Sequence, residues 1–354
     1  MEYRECRLKT IYTIFSEGGV KIDIQKIFLL IGGIRSGIYI SNVNSMPIFT
    51  PNGLAKINYP YILDKFGISY KAISLESFLN KYRDKKYKEN MFIVLFNSSM
   101  LRERKYENIS GDLIGQSQLL VRDVDYKNKK IILDVENSDE HWIDFDVYKQ
   151  VEKKSLWLVG DALYIYEIDK SLLRSNKRIQ QLANIDNKKI LKQNLENFQK
   201  DEKEVYYENN KTLRIDGYMS YEIIINNLIK LKEKYIVSKN KENMRRYLRV
   251  FISNLKRFIT MGSEANYRNE FVDVLNYVFK EYMTSDVEES IKIWKDISMR
   301  WIKITIIETK LEKKQLSDKV IIECLDNFIS FYKEILELER EGVDRLLSIL
   351  NKEI

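Results

Sequence analysis

Residues 119–134, LLVRDVDYKNKKIILD, decide the reading of the first half of this chain. Two apolar runs, Leu119–Val124 and Ile131–Val135, flank Tyr126-Lys127-Asn128-Lys129. A polar, Asn-containing turn between two β-branched runs predicts an antiparallel hairpin. Working outward, Ile68–Ile73, Met91–Phe96 and Leu156–Ile168 carry the same strand signal. Helices come before them. Residues 4–16 place Leu8, Ile11, Tyr12 and Phe15 on one face, and Gly18-Gly19 stops that helix. Asp23 caps a second helix carrying Ile27, Phe28, Leu30 and Ile31, and residues 53–66 form a third. Helices followed by a mostly antiparallel sheet make this half α+β rather than alternating α/β.

The chain changes character near Gly160. Ten of its 13 glycines and all three prolines lie in the first 160 residues. Glycine and proline punctuate turns, so short elements give way to long ones. Residues 185–215 read as a helix leading into a solvated linker. Beyond them the apolar spacing is helical throughout: Tyr247, Leu248, Phe251, Leu255 and Phe258, then runs over 266–282, 286–311 and 317–350. The division expected is an α+β domain over 1–170, a helix and linker over 171–215, and an all-α domain over 216–354. The last apolar stripe, from Val320 to Leu350, reads as core or as a homodimer face.

Length and composition limit the chemistry. The chain has 354 residues, 44% of them hydrophobic, enough for packed cores. The unbroken apolar runs, Ile27–Ile31 and Met91–Phe96 among them, are too short to span a bilayer, and Met1-Glu2-Tyr3-Arg4-Glu5 does not resemble a secretory signal. The expectation is a cytoplasmic protein with no membrane partner. Two cysteines and one histidine, His141, cannot build a cysteine zinc site or a multi-histidine metal centre, so neither metal nor cofactor is expected. The net charge of +7 is spread over local clusters such as Arg245-Arg246 with Arg249. They read as solvated faces or as a docking surface for an acidic partner. Without a helix-turn-helix, zinc or RNA-module signature, nucleic acid is the weaker option.

Three motifs bear on chemistry. Gly32-Gly33-Ile34-Arg35-Ser36-Gly37 lacks the Gly-Lys-Ser/Thr ending of a phosphate loop and follows a helix rather than a strand, so it reads as a tight turn. Cys324, among Ile321, Leu325 and Phe328, reads as a small core hydrophobe. Cys6 lies in the first turn of a helix, where backbone N–H groups and the helix dipole favour a thiolate. That position suits a nucleophile, although a cysteine near a chain end is also commonly incidental.

With these residues in view, the chain resembles the butirosin biosynthesis protein H family. The matching segments are Cys6 through Thr10-Ile11-Tyr12-Thr13-Ile14-Phe15 to Gly19, and Ile27 to Gly37. Others are Leu119–Asp125 with Lys130–Asp134, then Ala265-Asn266-Tyr267-Arg268 with Phe271, and Ser290 with Trp294. The resemblance implies a papain-like cysteine-peptidase fold followed by a helical domain. It implies acyl transfer from a carrier-protein thioester, or a small thioester, to an amine in specialised-metabolite biosynthesis. Cys6 would be the nucleophile and Asp134 the orienting carboxylate, with Gly32, Gly33, Arg35 and Ser36 beside the substrate. The family's histidine should stand just before Leu119, where this chain has Gln116-Ser117-Gln118. None of the three accepts a proton near neutral pH. Either His141 substitutes, or an activated donor needs no imidazole, or the chain is a silent relative that binds substrate, product or carrier protein.

Overall fold

A computed structural model describes residues 6–43, 46–51, 59–83, 89–97, 102–103, 116–134, 141–152, 165–206, 212–249, 267–311 and 316–353. The fold is α+β, with mostly antiparallel sheet and a helical C-terminal region. Contacts interleave the chain. One unit, the sheet unit, comprises Cys6–Ile27 and Asn58–Asn184; the other, the bundle unit, comprises Phe28–Ile57 and Ile185–Ile354. Composition places its cuts after residues 170 and 215, whereas residues 28–57 cluster with the distant C-terminal half.

Among the described residues the sheet unit holds seven strands: β3 (Tyr70–Ile73), β4 (Asn90–Asn97), β5 (Arg102–Glu103), β6 (Gln116–Asp125), β7 (Lys130–Leu133), β8 (His141–Asp144) and β9 (Ile165–Asp169). Their order is β3-β9-β4-β6-β7-β8-β5. The β6–β7 hairpin turns at 126–129 as expected, and the Asp125 carboxylate secures the turn by accepting from the Asn128 N–H and side-chain amide. Helix α1 (Cys6–Glu17) buries Leu8, Ile11, Ile14 and Phe15. Tyr12 is exposed and Ile14 takes its place on the buried face. Phe15 meets Phe66, just beyond α3 (Tyr59–Lys65), edge to face at 4.9 Å. Helix α4 (Leu75–Arg83) packs Phe78 on Phe92 of β4. Three more short helices, α5 (Phe145–Glu152), α6 (Ser171–Arg174) and α7 (Lys177–Ala183), lie in this unit. Residues 53–58 and 156–164 of the expected third helix and last strand lie outside the described residues.

Helix α2 (Ile24–Leu30) leads into the bundle unit. That unit has a sheet of its own, which the sequence does not suggest. Strands β1 (Gly37–Val43) and β2 (Met46–Pro51) join β10 (Glu202–Tyr206) and β11 (Thr212–Asp216) in the order β10-β11-β1-β2. Residues 202–206 and 212–216 are therefore paired strands and not a solvated linker. A buried Arg214–Asp216 pair, 2.8 Å apart along one strand, makes this charged segment compatible with burial. The helices are α8 (Asn187–Phe198), α9 (Tyr218–Val237), α10 (residues 241–249), α11 (Arg268–Val278), α12 (Ser285–Leu311) and α13 (Asp318–Glu353). The α13 stripe buries Ile321, Cys324, Leu325, Phe328, Tyr332 and Ile335 against its own unit, at the spacing the sequence predicts. Among the described residues no helix is long and apolar enough to cross a membrane.

Candidate functional site

The sheet unit gathers most of the candidate residues. Cys6 is the first residue of α1, at the end where backbone N–H groups lack helical partners. Helix α1 packs against β6. Strand β6 opens with Gln116, Ser117 and Gln118, which pair with Asn97, Phe96 and Leu95 of β4. Asp134 directly follows β7 and is half-buried; its N–H donates to the Leu120 carbonyl of β6 at 2.9 Å. That bond extends the β6–β7 ladder by one residue beyond the bulge at Val121/Asp123. His141 opens β8, opposite Leu133 of β7 and Glu103 of β5, and is buried at 5% exposure. Cys6, the start of β6, Asp134 and His141 thus belong to one unit, on a helix and adjoining strands of one sheet.

The glycine-rich turn lies in the bundle unit, and its polar groups are engaged there. The Gly32 and Gly33 N–H groups close α2 by donating to the Leu29 and Phe28 carbonyls, at 3.1 and 2.9 Å. Gly33 has φ of +65°, and a Cβ there would come 2.9 Å from Asn194 Nδ2, which donates to the Leu29 carbonyl. Both the left-handed backbone and the close approach require glycine. The Arg35 guanidinium donates to the Asn197 carbonyl. Ser36 is buried; its hydroxyl meets that of Ser220 at 2.7 Å, and its carbonyl accepts from Gly217 N–H at 2.8 Å. Ser220 in turn donates to the Gly217 carbonyl. These four residues of the turn hold α2, α8 and the start of α9 together.

Beneath the turn lies a charged cluster that the sequence reading misses. Arg268 and Glu339 are both fully buried. Arg268 Nε and Nη2 approach Glu339 Oε1 at 2.7 and 2.6 Å, Nη2 donates to the Tyr221 hydroxyl at 3.2 Å, and Nη1 donates to the Arg35 carbonyl at 3.2 Å. Burial pushes the Glu339 carboxyl above its ordinary range, against the pull of Arg268. Burial likewise holds the Tyr221 phenol well above its usual value, with the Arg268 charge opposing. One signal could have revealed the pair. Glu339 sits seven residues after Tyr332 on the α13 stripe, and Arg268 sits three before Phe271 on that of α11, so each charge occupies an apolar position.

Among the described residues no cluster of three or more His, Cys, Asp or Glu could hold a metal ion. No protein-family model matches the chain, and no curated protein matches it.

Proposed function

We propose that the chain is a cysteine-dependent acyltransferase of the butirosin H-like kind, its sheet unit being a papain-like domain. One observation carries this reading: the helix that opens with Cys6 packs against the strand that opens with Gln116-Ser117-Gln118, and Asp134 is tied to that same strand. A cysteine at the start of a helix that packs on the sheet holding the carboxylate suits a cysteine acyl-transfer site. The Cys6 sulfur attacks the carbonyl of an acyl thioester on a carrier protein or small thiol. The carbon–sulfur bond to the carrier breaks, its thiol leaves with a proton, and the acyl group sits on Cys6. An amine then attacks, an amide forms and Cys6 is released as thiol. The first exchange replaces one thioester by another, so it needs little driving force. A free thiol has a pKa of about 8.5, so only a few per cent is thiolate at pH 7, and a helix start is an environment that favours the thiolate. A cytoplasmic setting with carrier-linked donors fits this chemistry.

The test is intact mass spectrometry after incubation with acyl-loaded carrier protein or a small acyl thioester. The expected result is one acyl adduct, absent from Cys6→Ala and removed by amine. No adduct, or an adduct that persists in Cys6→Ala, overturns the reading.

The second reading is a silent relative that binds substrate, product or carrier protein. The lack of a proton acceptor at 116–118, with the one histidine buried within the sheet, favours it. It requires a ligand-dependent rise in melting temperature that Cys6→Ala leaves intact.

A further inference from the structure

One short segment of the bundle unit is among the more basic stretches of the chain. Residues 230–249 hold eight basic side chains and two acidic ones, Glu233 and Glu242, in a chain of net charge +7. Part of that charge is answered locally: Lys232 pairs with Asp326, Arg245 with Asp318 and Arg246 with Glu242. Lys230, Lys234 and Lys239 are exposed and have no ion pair among the described residues.

The same segment carries an apolar tip. Ile236 is 49% exposed and Val237, the last residue of α9, is 78% exposed. Lys230, Lys234 and Val237 follow one another at i, i+4 and i+7 along one face of α9, and Lys239 lies just past the Ser238 cap. The joint that presents them is tied together by hydrogen bonds. Lys241 Nζ donates to the last-turn carbonyls of Tyr235 and Ile236, and the Tyr235 hydroxyl and Arg245 both donate to Asp318. Two β-branched aliphatic side chains at a solvent-facing joint gain nothing in water. Nucleic acid would accept the lysines and leave the aliphatic pair wet. The interface of an anionic bilayer accepts both, taking Ile236 and Val237 at headgroup depth and the lysines at the phosphates.

We propose that the α9–α10 joint docks peripherally on anionic phospholipid, with Ile236 and Val237 inserted and Lys230, Lys234 and Lys239 on the headgroups. That no helix among the described residues is long and apolar enough to cross a membrane does not bear on attachment at the surface. The inference is independent of any chemistry at Cys6.

The test is co-sedimentation of the full chain with vesicles of phosphatidylcholine alone or mixed with phosphatidylglycerol. Partition into the mixed vesicles is expected to exceed that into neutral ones by at least about tenfold and to fall as salt is raised. The Lys234→Glu/Lys239→Glu variant should lose about tenfold or more of that binding. Val237→Ser should weaken binding several-fold while keeping its salt dependence, with unfolding midpoints confirming that both variants fold. Equal partition into neutral vesicles, no partition, or partition that ignores these substitutions overturns the proposal. So does salt-sensitive capture of the chain by a duplex oligonucleotide or by polyglutamate that outcompetes the vesicles, which would assign the patch to nucleic acid or to an acidic protein.

Discussion

Glu339 of the bundle unit and Glu167 of the sheet unit are both buried carboxylates, yet they are held in different ways. Glu339 is sealed with its partner: neither it nor Arg268 has any exposed side-chain area, and the guanidinium also reaches Tyr221 and the Arg35 carbonyl. Glu167 lies on β9 with 7% of its side chain exposed, and its cation, Lys81, is 35% exposed; Asn90 Nδ2 donates to the other carboxylate oxygen at 2.6 Å. An arginine fork suits the sealed site, because guanidinium is less strongly hydrated than ammonium and bonds several acceptors at once. A lysine suits the rim, where its head keeps part of its water. The difference teaches what each pair contributes. The sealed pair fixes a junction of helices and a turn, while the rim pair neutralises a strand carboxylate.

Breaking the sealed pair should produce the largest effect. Glu339→Ala leaves a buried guanidinium uncompensated and should cost about 3–5 kcal/mol in denaturant-derived stability. Replacing both members, as Arg268→Met with Glu339→Leu, should recover most of that loss, because desolvating a charge pair offsets much of its attraction. A double variant as unstable as the single one would show that the contacts to Tyr221 and the Arg35 carbonyl matter more than charge balance.

The rim pair should respond less. Lys81→Met should cost about 1 kcal/mol, and its effect should shrink in high salt, whereas that of Glu339→Ala should not. Equal salt sensitivity would erase the distinction drawn here. A third carboxylate extends the series to the surface. Asp318 is partly exposed, with 44% of its side chain open to solvent, and hydrogen bonds from the Tyr235 hydroxyl and Arg245 hold its carboxyl below the usual range. A carboxyl lowered in the folded state stabilises the protein above its unfolded pKa of about 3.9, and that stability is lost as pH falls through the folded value. Asp318→Asn should therefore be less stable than the wild type at neutral pH, and the two should converge in strong acid. A constant gap across the acid limb of a pH–stability profile would refute this account.

Much of this arrangement is legible in the residues, and the rest is hidden for identifiable reasons. The β6–β7 hairpin and the helical spacing of α13 are visible because each buries one face, which imposes a period of two or 3.6 on the apolar residues. The second sheet is hidden because β10 and β11, EKEVY and TLRID, carry charges where a strand is expected to be apolar. Burial there depends on Arg214 meeting Asp216, two residues along the same strand, which no apolar period signals. The glycine turn is legible as a turn, and its neighbours are not: Asn194, Ser220 and Arg268 lie more than 150 residues away in sequence. At the candidate site the sequence supplies Cys6, Gln116-Ser117-Gln118 and Asp134. Their grouping in one unit depends on how α1 lies on β6, a long-range contact.

The partnership of β1 with β11 also sets a timetable. During synthesis at roughly 5–20 residues per second, β1 leaves the ribosome and then waits on the order of ten seconds or more for its second neighbour. Cys6–Ile27 is already made by then, and the rest of the sheet unit, Asn58–Asn184, follows in that interval, so this unit can fold first. One edge of β1 stays open meanwhile, as a template for any passing strand. Because it joins strands so far apart in sequence, the β1–β11 pairing is expected to be a slow step in maturation and a stage at which the nascent chain is exposed to aggregation.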